Sequence, residues 1–284
     1  CAMSRQANVI NIGVEGIMLI SSFFAIYTSY MTGSWFMALL VAIVIGLFFS
    51  GIMIITSIKF KANIAALGVL INLFGIALSS FLMQVLLAAF AYFADPAVVP
   101  LPILKIDGFK NNPVLLSLFS GYSLLEILAP VVVFLLWFFL YRTVWGLRLR
   151  SVGLNELAAQ TAGINVNVKK IQALLISGAI AGVAGAHLSL GYVNMFTTEI
   201  VNGRGFMGFA AMNFGRANPL YSALGCLIFG FFDAVGARTQ LIGIPSQFML
   251  STPHIVTVLV LVLSNVREKR RDIKRRSAKT YVKN

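Results

Sequence analysis

The sequence predicts an all-α fold, a polytopic bundle of transmembrane helices. Mean hydropathy is +0.89, and 59% of the side chains are hydrophobic. Charged residues make up 11%, where a soluble domain carries about a quarter. The apolar residues also come in runs long enough to cross hydrocarbon, which takes about 20 residues.

In chain order these runs cover about 16–32, 35–56, 64–90, 123–141, 171–195, 220–236 and 247–266. A shorter piece, 205–214, reaches only part of the way at about 1.5 Å per residue. Basic residues set the expected orientation. Lys59 and Lys61 lie between the second and third runs, and 142–170 follows the fourth. Segment 267–284 holds nine Lys/Arg and two acids. These three places are expected in the cytosol. Segment 94–122, in which Asp95, Lys105, Asp107 and Lys110 cancel, is expected outside. Parity then requires 205–214 to count as a crossing, a half-helix. Pro96, Pro100, Pro102 and Pro113 break segment 94–122, and its apolar content suggests packing on the bilayer surface or on a partner. The expected division is a transmembrane domain over 1–266 and a basic cytosolic tail over 267–284.

The tail reads as a topology anchor to which anionic lipid head groups add. Nucleic-acid binding finds no aromatic platform there beyond Tyr281. Cys1 and Cys226 do not make a disulfide framework. His187 and His254 have no ligand partners at metal spacing. No Ser/His/Asp or paired-carboxylate arrangement supports catalysis, so neither a catalytic residue nor a cofactor is expected.

The long polar stretch Arg142 to Lys170 separates two strongly apolar runs. Within it Asn155 can cap a short helix from Glu156 to Ala162, which Gly163 closes in a left-handed conformation. Two turns are not stable alone in water, so this helix needs a surface to lie on. Leu157, Ala158, Thr161 and Ala162 fall on adjoining positions of one face, and Ala159 lies among them in sequence. Two readings stay open on the residues alone: a helix that docks a partner, or an ordinary positive loop.

Asn11, Glu15 and Gly16 stand where the chain enters its first run. Glu15 has three readings: lining a translocation path, pairing with a helix N-terminus, or sitting at an interfacial helix start. Ser177, Ala181 and Gly185 recur every four residues, as do Gly178 and Gly182, a spacing that permits close helix contact in lipid. Gly203 to Gly208, GRGFMG, matches a dinucleotide-loop pattern without the surrounding βαβ unit. It reads better as flexible backbone opening the half-helix, as broken helices do beside cavities. Asp233, deep in its run, reads as half of a structural pair with Arg238.

Arg148 to Val166, RLRSVGLNELAAQTAGINV, resembles the cytoplasmic loop of bacterial ABC importer permeases for branched-chain amino acids, ribose and nucleosides. The likeness continues through Lys169, Lys170 and the Ser177–Gly185 stretch. Asn11 to Leu19, NIGVEGIML, is most like the purine-nucleoside and simple-sugar branch. The segment from about 83 to 122 carries no motif of the family.

The resemblance implies a type II ABC importer permease, ten helices when complete and here N-terminally truncated, most like the smaller nucleoside or sugar subunit. It implies that Asn155, Glu156, Leu157, Ala158, Ala159, Thr161, Ala162 and Gly163 form the coupling helix, seated in a cleft of an ATP-binding subunit. It places polar residues such as Asn202 and Asn213 near the broken helix, beside a path that includes Asn11 and Glu15. Expected partners are two ATP-binding subunits, a second and different permease subunit, an extracytoplasmic binding protein or lipoprotein, and the lipid bilayer. The expected place is the bacterial plasma membrane. Against this stand a branched-chain amino acid permease, a secondary transporter needing carboxylates such as Glu126 or Asp233 near the midplane, a channel, which lacks a selectivity element, and a scaffold.

Overall fold

The computed structural model describes residues 1–104 and 121–239. The candidate span 247–266, the basic tail, His254 and the acidic and basic residues of 105–120 lie outside them. Two compact units divide the chain at Phe209/Ala210.

The first unit opens with α1 (Ala2–Gln6), α2 (Val14–Thr32), α3 (Trp35–Lys59) and α4 (Ile64–Leu87). Glycine and asparagine punctuate these helices. Gly33 closes α2 at φ +63, returning its N–H to the Ser29 carbonyl at 2.9 Å. Asn63 opens α4 by accepting from the Ala65 N–H at 2.9 Å. Beyond α4 the prolines deny helix. The backbone instead forms two antiparallel ladders of two residues per strand: β1 (Tyr92–Phe93) with β4 (Phe196–Thr197), and β2 (Ile103–Leu104) with β3 (Tyr122–Ser123). These are the departures from an all-helical chain. Val98 and Leu101 are buried among the helix ends, Leu101 donates to the Leu190 carbonyl, and Ser29 bonds both backbone groups of Val99. This part of the proline-rich segment thus packs on its own bundle, while Ile103 and Leu104 stay exposed.

Helix α5 (Leu124–Arg142) follows. The expected polar loop is then largely helical: α6 (Val144–Leu154), α7 (Glu156–Thr161) and the start of α8 (Val166–His187). Thr143, Asn155 and Asn165 each accept a backbone N–H at the head of the helix they precede. Because Asn165 starts α8, Lys169 and Lys170 belong to its first turns. A π-helical turn, Leu188–Val193, extends α8. Helix α9 (Arg204–Phe214) begins in the first unit and ends in the second, which also holds α10 (Pro219–Thr239).

Six described helices are long and apolar enough to cross a membrane: α2, α3, α4, α5, α8 with its π turn, and α10. In the first unit α2 and α8 are the centre, with 67% and 61% of their spanning windows buried, against 6% for α5. Ile17, Ile20, Phe23 and Ile26 of α2 meet Met53, Met83, Leu174 and Phe196 in one continuous core.

Small residues bring the helices together. Gly178 of α8 lies against Gly46 and Ser50 of α3, and Gly182 against the carbonyl of Ala42. Ala38, Ala42 and Ser50 are fully buried along that seam. Gly185 lies against Met18 and Ser22 of α2. A third contact was not foreseen. Gly13 and Gly16 at the head of α2 meet Gly68, Asn72 and Gly75 of α4, where a Cβ on Gly16 would stand 2.7 Å from the Asn72 Cα.

These contacts fix directions. Gly46 meets Gly178 while Ala42 meets Gly182, so α3 and α8 are antiparallel. Asn11 meets Ser177 while Met18 meets Gly185, so α2 and α8 are parallel. The end of α3 at Lys59, Arg142, α6, α7 and the start of α8 therefore share one end of the unit. The end of α2, the start of α3 and the proline-rich segment share the other.

Candidate functional site

Two places carry the polar residues singled out in the sequence. The first lies at the head of α2. Glu15 is in the first turn of that helix, and its carboxylate reaches the first turn of α9. Oε1 accepts from the Gly203 N–H at 2.7 Å. Oε2 accepts from Gly205 at 2.8 Å and from Phe206 at 3.3 Å. The first N–H groups of a helix have no partner within it, and an anion satisfies them best. Asn202 and Gly203 hold left-handed φ values of +43 and +78, which turns the chain into α9. Asparagine and glycine are the residues that adopt that region readily. Gly205 has no room for a side chain, since a Cβ there would stand 2.5 Å from Oε2 and 2.9 Å from the Glu15 Cα. Gly203 and Gly205 of GRGFMG thus let a helix N-terminus approach an anion, and the anion is the protein's own carboxylate.

Asn72 of α4 completes this corner. Its Oδ1 accepts from the Gly16 N–H at 2.8 Å, and its Nδ2 donates to the Ile12 carbonyl at 3.0 Å. Gly13, the residue before α2, supplies no side-chain cap, so α2 is capped from a neighbouring helix. Asn72 was missed in the sequence, although an asparagine between Gly68 and Gly75 in an apolar run is a polar group at membrane depth. It is the ninth residue of a 24-residue helix, about 12 Å from one end and about 22 Å from the other.

Asn11 is 1% exposed, and its Nδ2 donates to Ser177 Oγ at 3.0 Å. It ties the approach to α2 onto α8, and Ser177 is a bonded partner as well as a small one. Asn202 is exposed and acts through its backbone. Asn213 is exposed on the second unit.

At the opposite ends of α8 and α2, Glu126 Oε2 accepts from the Ser123 N–H at 2.7 Å and its Oε1 lies 3.6 Å from His187 Nε2. Ser123 Oγ is 3.3 Å from His187 Nδ1. This cluster caps α5. Among the described residues no group of three His, Cys, Asp or Glu side chains is placed to hold a metal ion.

The second place is α7. Asn155 Oδ1 accepts from the Ala158 N–H at 3.1 Å. Ala162 ends the helix, and Gly163 follows at φ +76. The Ile164 N–H returns to the Ala159 carbonyl at 3.0 Å. The surface this short helix needs is supplied by its own chain: Ala159, 3% exposed, packs with Val152 of α6 and Val166 of α8. Glu156 meets Lys170 at 2.7 Å, so the basic partner it could have sought elsewhere is internal. Ala159 is thus the inward anchor. Leu157, Ala158, Thr161 and Ala162 are exposed on the other side, Leu157 at 75%, beside Leu154 at 88%. A cleft of about 350 Å³ lined by Gln160, Gly163, Ile164, Asn165, Val166 and Asn167 adjoins them.

Known proteins resemble this chain along most of its length. The nucleoside ABC transporter permease protein NupC of Lactococcus lactis is 34% identical over 277 residues, covering 92% of this chain and 84% of that protein. The guanosine ABC transporter permease protein NupQ of Bacillus subtilis is 33% identical, covering 91% and 84%. The ribose import permease protein RbsC of Escherichia coli is 26% identical over 175 residues, covering 57% and 53%. No solved structure matches significantly. The family of the branched-chain amino acid transport system permease component matches residues 1–264. This chain therefore belongs to that family: it is a multi-pass membrane permease component of an ABC importer and not the ATPase itself.

Proposed function

We propose that this chain forms one half of the path of an ATP-driven importer for a small polar solute, a nucleoside ahead of a simple sugar. The observation that carries the coupling half of this reading is α7. It is held from behind by Ala159 and presents Leu157, Ala158, Thr161 and Ala162 outward. A rigid ridge of small side chains suits a close-fitting groove on an ATP-binding subunit. The relatives named for nucleosides, guanosine and ribose support the solute class.

The basic residues Lys59, Lys61, Arg142, Arg148, Lys169 and Lys170 gather at the end that carries α7, and the positive-inside bias assigns that end to the cytosol. The proline-rich segment then faces a binding protein or lipoprotein outside, and the C-terminus is cytosolic in a bacterial plasma membrane. A second, different permease subunit completes the pore. ATP-driven closure of two ATPase subunits moves the coupling helices and switches access between the two sides.

Ala158→Trp and Ala162→Trp test this. Overfilling a close contact costs about 1–3 kcal/mol, enough to weaken an association tenfold or more. Both variants are expected in the membrane at the wild-type level, with ATPase co-purification and uptake of guanosine and ribose lost together. Wild-type co-purification and uptake in both variants would reduce α7 to a connector and end this reading.

A further inference from the structure

We propose that α6 is an interfacial helix whose outward face lies in the head-group layer of an anionic phospholipid leaflet, at the end of the bundle that carries α7. Val144, Leu147 and Leu154 enter the acyl boundary there, and Arg142 and Arg148 meet lipid phosphates.

Helix α6 is apolar on two faces. Gly146, Leu149 and Val152 are buried against the bundle. Val144, Leu147 and Leu154 recur at helical spacing on the opposite face, and more than half of each is exposed. Ser151 fills the gap in that stripe and donates its hydroxyl to the Leu147 carbonyl at 2.9 Å, so its polarity is satisfied within the helix. A helix that borders water carries polar residues on its outer side. This one needs a second apolar neighbour.

Depth identifies that neighbour. Helix α5 has 19 residues, about 28 Å against a hydrocarbon core of about 30 Å. Its flank is exposed at Phe134, Leu135, Phe138 and Phe139, and Thr143 alone separates it from α6. Leu149 packs with Leu140 of α5 and Ala173 of α8, in a cluster that Leu136 and Ile176 join. Leu136 stands six residues inside the end of α5 and Ile176 ten inside the start of α8, about 9 and 15 Å along their axes. Helix α6 therefore lies beside the last turns of the spans, not beyond them, at the level where hydrocarbon gives way to head groups. Tyrosine and tryptophan collect at that level, and Tyr141 and Trp145 stand half-buried there.

Charge selects the lipid. Arg150 lies over the Tyr141 ring at 4.7 Å and Lys169 over the Trp145 ring at 5.4 Å. Lys170 takes Glu156, the acid of this loop, at 2.7 Å. Arg142 and Arg148 are exposed, and neither pairs with a carboxylate among the described residues. Arg148 flanks the stripe one turn from Val144, and Arg142 ends α5 two residues before it. Outward arginines bordering an exposed apolar stripe match an anionic head group above an acyl chain.

The test uses the complete transporter in nanodiscs of phosphatidylcholine containing about one-third phosphatidylglycerol. Cys1→Ser and Cys226→Ser clear the background, and a bimane label is attached at Leu147→Cys. Lipid with a nitroxide near the head-group end of its chain is expected to quench the label about twofold or more, and iodide in the buffer much less. Nitroxide phosphatidylglycerol is expected to quench better than nitroxide phosphatidylcholine at equal mole fraction, since each basic residue near an anionic surface is worth about fivefold in partition. Arg142→Gln together with Arg148→Gln is expected to abolish that preference and leave the label in lipid. Quenching by iodide alone would put the face in water. Protection from both quenchers would put it under a protein, such as an ATP-binding subunit. Either result overturns the proposal, as would a label that prefers neither lipid, or a preference that survives the loss of both arginines.

Discussion

Gly182→Ala and Gly208→Ala put the same methyl group into two helices, and the structure expects opposite results. Helix propensity alone favours alanine over glycine by about 1 kcal/mol at either site. At Gly208 nothing lies within 4 Å of the added carbon, so that gain is kept. At Gly182 the carbon would press on the Ala42 carbonyl, with Ile43 Cα 3.2 Å away. These are backbone atoms and cannot rotate aside, so α3 and α8 must separate. A gap of about 0.5–1 Å forfeits a quarter to a half of each contact's attraction, worth about 0.1–0.2 kcal/mol per atom pair. With of order 30 pairs along the Ala38–Ser50 seam, the loss is about 2 kcal/mol, inside the usual range for overpacking. Gly182→Ala should therefore be about 1 kcal/mol less stable than wild type and Gly208→Ala up to about 1 kcal/mol more stable. Unfolding by sodium dodecyl sulfate in mixed micelles, followed by tryptophan fluorescence, measures both. Equal shifts of the same sign would refute the backbone-contact reasoning.

Two further predictions follow from the same geometry. Asn72→Leu keeps the branching and the number of side-chain heavy atoms but leaves the Gly16 N–H and the Ile12 carbonyl unpaired, at about 1–3 kcal/mol each; a melting temperature equal to wild type would show that Asn72 does not cap α2. A reporter fused after Asn284 is expected to be active only in the cytosol and one inserted near Lys110 only outside, and an extracytoplasmic C-terminus would sink the orientation.

The spans were legible because each is decided by solvent. An apolar run long enough to cross hydrocarbon reads the same whatever packs beside it. The punctuation of α7 was equally local, since Asn155 and Gly163 act on backbone within a few residues. Helix α6 was less visible: its cap Thr143 and its inward residues Gly146, Leu149 and Val152 were hidden by the surrounding arginines. The short helix α7 was expected to need a surface to lie on, and Val152 and Val166 of the same chain supply one for its inward face.

What the chain determines by itself is therefore composition and local chemistry: a mostly helical membrane bundle, the spans among the described residues, its caps and its small-residue seams. The tertiary structure alone decided which partners those features find. Glu15 lies 188 residues from Gly203 and 190 from Gly205, and Asn72 lies 56 from Gly16. No sequence window contains either pair. A buried donor must be satisfied, and the sequence marks the donors and acceptors, but which acceptor reaches which donor depends on how closely the glycine-lined helices approach one another.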